Sequence, residues 1–379
     1  MKPEGNSINK LWILSFVFSD ATQLINQELM KRIPYKLLFF LSFVCLFSCK
    51  NRINSPITHF SSFQTERIEH STLFNLEKYD ILKPLEVIKD REEHIFIDDK
   101  RDNFITKVNF QSNQFISGVN FGSGPQELNL IGSIKKIKDK ILIYDITKKE
   151  IFELTMVNEK SLTIQSFHKI NNYPQKLFSV NYINNNIIAS GLFGDFWIGY
   201  IDFLNNELLS AIDFPEFEET NAIQDMQKSI IYLSTHITCS PNNKKIAVAT
   251  KNAGVISLIN IKDDQLDLYK QIKYYPPNFS VTNDGTIAYS KKGEIGFCSI
   301  DCDAQHIYLL YSGRTFETHG MLNHHCEHLL IYDWKGNPVK HYILDIPLFS
   351  MKFDNEKNTI YGIGYNPEGV FVEYNISSY

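Results

Sequence analysis

Basic side chains are in deficit. Lysine and arginine together number 38 against 43 aspartates and glutamates over 379 residues, a formal charge of −5. Without a basic surplus or a clustered basic stripe, the phosphate-binding footprint of a nucleic-acid protein is missing. The apolar run Leu37–Phe47 has eleven residues, roughly half of what a stable bilayer-spanning helix needs. Cysteines are few and irregularly placed. Past position 49 there are only Cys239, Cys298, Cys302 and Cys326. Four cysteines allow three pairings that spacing cannot choose among, no disulfide framework is indicated, and buried small hydrophobes are the better reading. Helical periodicity is scarce as well. Neither the dinucleotide fingerprint nor the Lys-Ser/Thr of a P-loop occurs in the Gly-rich stretch "FGSGPQE", so a phosphate cradle is not expected there.

What is present begins at Met30. Lys31, Arg32 and Lys36 form a basic head before the apolar run, the order of parts found in an export signal. The run ends in Leu46-Phe47-Ser48-Cys49, with an aliphatic residue three before a cysteine and a small one directly before it. This resembles the lipobox of bacterial lipoproteins. The resemblance implies diacylglyceryl transfer to the Cys49 thiol, cleavage before it and acylation of the freed amine. Each buried methylene contributes about 0.8 kcal/mol, so two or three acyl chains hold a protein on a membrane where one does not. Residues 1–29 are expected to be an upstream extension added by a mis-assigned start, 30–48 the signal peptide, 49–56 a polar tether and 57–379 the folded domain. From Cys49 onward the chain has 33 basic and 40 acidic side chains.

Beyond the tether, short β-type runs alternate with Asn, Asp, Gly and Lys turns. "HIFIDD" (94–99), "FITKVNF" (104–110) and "QFISGVNF" (114–121) follow at about ten-residue intervals, the spacing of antiparallel hairpins. A longer period is superimposed. "KILIYDITKKEIFEL" (140–154) and "HLLIYDWKGNPVKHY" (328–342) share a strand, Tyr-Asp, a turn and a second strand, and "HIFIDDKRDNFITKV" (94–108) is a looser copy. Division into units gives six of roughly fifty residues, a propeller-like period, with starts near Pro84, Ser133, Lys176, Thr235, Ile295 and Pro347. The expected fold is therefore all-β, a six-bladed propeller of four-stranded antiparallel blades, in which each blade covers its faces with two neighbours. The last unit is one strand short. A strand from "SSFQTERIEHSTLF" (61–74) is expected to complete it and close the ring, giving a monomeric propeller.

The turn and strand "HITCSPNNKKIAVAT" (236–250), with "FGSGPQEL" (121–128), "IYLLYSG" (307–313) and "LLIYDWKGNPVKHYILD" (329–345), resembles the TolB-like six-bladed propeller lipoproteins of one phylum of Gram-negative bacteria. The resemblance implies an exported, envelope-located propeller more than any chemistry. Lys50-Asn51-Arg52 follows the lipidated cysteine in place of an acidic export cluster, which points to an outer-membrane anchor facing the periplasm.

Candidate chemistry is thin. His319, His324, His325, Cys326 and His328 lie within ten residues. Imidazole and thiolate suit zinc or copper, and strand residues two apart share a face, so a divalent metal is the one cofactor to consider, although a solvated loop is the simpler reading. Gly122, Gly124 and Pro125 read as a turn needing positive φ followed by a fixed bend. Ser234-Thr235-His236 and Asp301/Asp303 supply hydrolytic atom types without a matching motif. Phe193, Phe196, Trp197, Tyr200, Tyr274, Tyr275 and Trp334 fall near blade ends. Aromatics there suit peptide or sugar contact, while Phe196 and Trp197 read better as packing between blades. With no catalytic signature, the leading expectation is a lipid-anchored binding or interaction module for a peptide, glycan or protein. The alternatives are a calcium-dependent hydrolase of the lactonase or gluconolactonase type and a periplasmic sensor or assembly scaffold.

Overall fold

The structure is a computed structural model that describes residues 55–376 apart from 101, 158–159, 171–175 and 184. The extension, signal segment, Cys49 and nearly all of the tether lie outside the described residues. Ser55 caps the first turn of helix α1 (Pro56–His59), its hydroxyl accepting the Ile57 N–H at 3.2 Å, with Pro56 at the first helical position where its missing N–H costs nothing. Two strands follow, β1 (Thr65–Ile68) and β2 (Thr72–Asn75).

Six four-stranded antiparallel blades come next. The first is β3 (Pro84–Asp90), β4 (Glu93–Asp98), β5 (Ile105–Asn109) and β6 (Gln114–Gly118). A miniature parallel pair, β7 (Asn120–Phe121) and β8 (Glu127–Leu128), leads to the second blade. That blade is β9 (Ile131–Ile137), β10 (Lys140–Asp145), β11 (Glu150–Val157) and β12 (Ser161–Lys169). The third is β13 (Leu177–Ile183), β14 (Asn186–Gly191), β15 (Ile198–Asp202) and β16 (Leu208–Ile212). Short helices α2 (Glu218–Asn221) and α3 (Asp225–Ile231) precede the fourth, β17 (Thr235–Cys239), β18 (Lys245–Thr250), β19 (Val255–Lys262) and β20 (Gln265–Lys273). A hairpin, β21 (Phe279–Val281) and β22 (Ile287–Tyr289), packs on α3, the Tyr289 hydroxyl donating to the Ile230 carbonyl at 3.0 Å. The fifth blade is β23 (Phe297–Cys302), β24 (His306–Tyr311), helix α4 (Phe316–His319) in the connection, β25 (Cys326–Asp333) and the first part of β26 (Pro338–Asp354). The second part of β26 opens the sixth blade, continued by β27 (Thr359–Tyr365) and β28 (Gly369–Asn375).

The second strand of each blade lies deepest. β4, β10, β14 and β18 are buried at nearly every position, which is why they read as unbroken apolar runs and not as an alternation. Fourth strands such as β20 are mostly open to solvent and carry the charges. Six apolar clusters fill the six junctions between blades. The largest joins blades five and six through Leu310, Leu329, Tyr342, Met351, Val372 and Tyr374.

Closure is as expected. β2 pairs with β28, Thr72 opposite Glu373 through Asn75 opposite Val370, and supplies the missing fourth strand of blade six. Phe74 on β2 stacks on Phe110 of blade one at 4.2 Å, and Phe110 stacks on Phe371 of blade six at 4.8 Å, so the strand ties the first blade to the last. β1 adds a parallel fifth strand to blade five along His341–Leu344. The innermost strands begin at Pro84, Ile131, Leu177, Thr235, Phe297 and, in β26, Leu348, within a few residues of the starts read from the repeat. The two Ile-Tyr-Asp phrases, however, are out of phase: 140–154 forms the second and third strands of its blade, 328–342 the third and fourth. The shared aspartate explains both, because Asp145 and Asp333 each accept main-chain N–H groups of the turn that follows, a local device usable between any two strands. Among the described residues no helix is long and apolar enough to cross a membrane.

Candidate functional site: the axial channel

A cavity of about 390 Å³ runs along the axis where the first halves of the innermost strands meet. Its composition follows from register. Two residues into these strands stand Glu86, Ser133, Ser179, Ile237, Ser299 and Ser350; two further on stand Ile88, Lys135, Asn181, Cys239, Asp301 and Lys352. Alternate strand residues share a side, so the first set makes a ring dominated by serine and the second a ring of mixed charge. Gly132 is required beside the first ring: a Cβ there would sit 2.3 Å from the Phe178 carbonyl oxygen of the next blade.

Polar side chains stitch neighbouring innermost strands together. Ser133 Oγ donates to the Val180 carbonyl at 2.9 Å, Asn181 Nδ2 to the Ile237 carbonyl at 3.1 Å, and Ser299 Oγ to the Met351 carbonyl at 3.2 Å. Asp301 accepts the Phe353 N–H at 2.9 Å and the Thr238 hydroxyl at 3.4 Å. Lys352 pairs with Glu86 at 3.4 Å, Lys89 with Asp354, and Lys136 with Asp90 at 3.0 Å, which completes the circuit through blade one. Burial alone would raise the Asp90 pKa, but Lys136 and Lys107 outweigh it and hold the carboxyl below its ordinary value.

The lining is cationic. Lys135, Lys251 and Lys352 face the cavity with Glu86 as its one carboxylate, and His236 and His324 are the imidazoles. Burial and the neighbouring Lys352 lower the pKa of Lys135; in Lys352 burial acts the same way but Glu86 and Asp301 overcome it and raise the value. Burial, helped by Lys251, Lys352 and Lys135, pushes His236 down to about 3, so its ring is neutral at physiological pH. His236 Nε2 is buried without a hydrogen-bond partner. Leu85, Phe178, Leu233 and Phe349 make the walls apolar near the strand starts.

Comparison with known proteins agrees with this architecture. The TolB-like 6-blade propeller-like family matches residues 59–356. The chain belongs to that family. Among solved structures, this TolB-like chain is similar to a Bacteroides fragilis protein described as exported, at 11% identity and a TM-score of 0.49, over 83% of this chain and 100% of the other. It is also similar to the Cps50 (Swd1) β-propeller domain of Myceliophteria thermophila, at 8% identity and a TM-score of 0.47, over 81% and 99%. No curated protein sequence matches it.

The residues singled out by sequence are placed unevenly in this TolB-like propeller. Ser234, Thr235 and His236 do line the channel, and so does His324. The rest of the histidine cluster diverges. His319 bonds Thr318, His325 stacks on Tyr365, Cys326 is fully buried, and His328 Nδ1 meets His341 Nε2 at 3.0 Å. Among the described residues no three His, Cys, Asp or Glu side chains group to hold a metal ion. The reading of 319–328 as a solvated loop needs correction too, since His325 and Cys326 are buried at the root of β25. Gly122 and Gly124 do not have positive φ; the left-handed residue at this bend is Val119 (φ 63°). The glycines instead make room for Glu127, whose carboxylate accepts the Gly124 N–H at 2.7 Å and lies 2.1 Å from where a Gly122 Cβ would be. Pro125 follows in the same turn.

Of the aromatic set, Phe193, Phe196, Trp197, Tyr200, Tyr274 and Trp334 are buried between blades, and Tyr275 is partly buried beside them, so they are packing and not a contact surface. The four cysteines carry free thiols, Cys298 and Cys326 buried and Cys239 and Cys302 half-buried. Sequence reasoning missed Lys135, Lys251, Lys352 and Glu86. The available signal was the phrase apolar-x-Ser-apolar at the start of four units, "IGSIKK" (131–136), "LFSVNY" (177–182), "FCSIDC" (297–302) and "LFSMKF" (348–353).

Proposed function

We propose that this TolB-like propeller is an exported binding module, held to the envelope by lipid on Cys49, whose axial channel takes a small ligand. The observation that carries the reading is a cavity of about 390 Å³ on the axis whose lining is polar and cationic, with Lys135, Lys251 and Lys352 beside Ser179, Ser234 and Ser350. Apolar packing would have filled the channel more cheaply, because an unpaired buried polar group costs about 1–3 kcal/mol. The signal-like segment before Cys49 supports the address. A calcium-dependent hydrolase draws no support from this lining, since three lysines against one carboxylate repel a divalent cation. A scaffold needs a broad outer surface and leaves the polar axis without a use.

Two measurements test the proposal. Native mass spectrometry of the protein purified from its envelope should show a small bound molecule, absent from Ser179→Trp, which fills the channel. Metabolic labelling with a fatty acid should mark the full chain and not Cys49→Ser. A filled channel with unchanged ligand content, or a Cys49→Ser protein that keeps its label, would contradict the respective half. Recovery of a stoichiometric membrane protein with no small molecule would favour the scaffold.

A further inference from the structure

The channel's charge is lopsided. Glu86 and Asp301 act on Lys135 and Lys352, and Asp301 is already engaged by the Phe353 N–H and Thr238. Lys251 stands apart from them, where it acts on His236, His324 and the Cys298 thiol. The lining there holds no carboxylate. Among the described residues the side-chain ammonium groups of Lys135 and Lys251 have no ion-pair or hydrogen-bond partner, although the main chain of Lys251 bonds Ser234 and Gly296. Ammonium groups that face one cavity without a carboxylate between them attract an anionic ligand into it.

We infer that the channel binds a small hydroxylated organic anion, its carboxylate or phosphate set against Lys251 and His236 and its hydroxyls on the serine ring. This rests on the channel reading above and adds the ligand's chemistry. Lysine serves as a point charge for either oxyanion and lacks the fork by which arginine would demand one geometry. His236, its ring neutral, lines the cavity and feels the charge of Lys251. Ser179, Ser234 and Ser350, from different blades, offer hydroxyls around the same cavity. Phe178 and Phe349 give the body of a sugar-sized molecule apolar faces to lie against. A neutral analogue would enter the same space but leave Lys251 unpaired, and a cationic one would be repelled.

The test is calorimetric titration of the intact protein with four molecules of similar body: D-glucuronate, D-glucose 6-phosphate, D-glucose and D-glucosamine. At least one anion should bind, with glucose and glucosamine weaker by about ten-fold or more; which anion binds separates carboxylate from phosphate. Lys251→Gln should bring the anion down to the level of glucose, and Lys251→Arg, which keeps the charge, should restore much of the affinity. Should Lys251→Gln fold poorly, the wild-type chloride dependence reads the same contact, because anion binding weakens as salt rises. Equal binding of glucose, abolished by Ser179→Trp, would overturn the anion inference and leave the channel reading intact. Binding indifferent to Ser179→Trp would overturn both. No binding of either anion at millimolar concentration would overturn the inference, with the co-purification experiment still deciding the channel.

Discussion

At the scale of single residues, the fold keeps several histidines neutral by burial. His94 is the plainest case. It is 6% exposed, both ring nitrogens lack hydrogen-bond partners, and it packs 4.6 Å from Phe371 and 5.3 Å from Tyr361 at the junction of blades six and one. Burial first, then Lys89 and Lys357, lowers its pKa to about 3. The unfolded chain takes up a proton near the ordinary value of 6.5 while the folded chain does not, so stability falls as pH drops from about 6.5 toward 3, by up to about 1.4 kcal/mol per unit. Above that window the group contributes no pH dependence. His94→Leu removes both the unsatisfied nitrogens and the titration. Urea melts at about pH 7.5 and pH 5 should show a smaller acid loss in the variant than in the wild type; an equal loss would place the acid sensitivity elsewhere. Titration of His236 carries a ligand signature as well: an anion beside it should raise its pKa, which proton NMR of its ring reads directly.

At the scale of elements, closure depends on a strand of four residues. β2 holds to β28 by its ladder and to blade one by the Phe74–Phe110 stack. Phe74→Ala should cost about 1–3 kcal/mol, less than a fully buried phenylalanine because Phe74 keeps part of its surface in water. Deleting 55–75 should do more than lower the melting temperature. It bares the edge of β28 and the outer edge of β26, and unpaired edges recruit other chains, so size-exclusion chromatography should show dimers or larger species; a monomer of unchanged stability would mean that the ring closes without the strand. This element was legible in the sequence because its absence was, one unit having three good runs where the others had four. The blade starts were legible for a related reason, since doubly covered second strands produce unbroken apolar runs that mark each unit. The channel was not. Lys135, Lys251 and Lys352 are separated by about a hundred residues each and come from different blades, and nothing local in "SIKKIK" or "ATKNAG" distinguishes a lysine facing an axis from one facing solvent. Conversely, the histidine run drew notice by proximity in the chain, yet a helix end, a tight turn and a strand start send its members in different directions.

At the scale of the whole molecule, the six junctions form one ring in which no blade covers its own faces, so loss of any junction exposes the edges of two others. Such a ring should unfold as a unit, unlike an open array of repeats whose ends fray independently. Two tryptophans report from separate sectors. Trp197 sits in blade three with its Nε1 donating to Thr235 Oγ1 at 3.1 Å, and Trp334 follows β25 in blade five with its Nε1 donating to the Asp303 carbonyl at 3.1 Å. Trp197→Phe and Trp334→Phe, made in the chain from Cys49 onward, each leave one indole. Both lose a hydrogen bond and should be less stable than the parent, which makes comparison between them uninformative. Comparison within each is decisive, because far-UV circular dichroism follows all blades and fluorescence follows one. In a closed ring the two urea midpoints coincide in each variant. Removing 55–75 in the same backgrounds should separate them, with the blade nearer the opened junction of six and one melting first; coincident midpoints in the opened chain would show that cooperativity comes from the stitched innermost strands and owes nothing to closure.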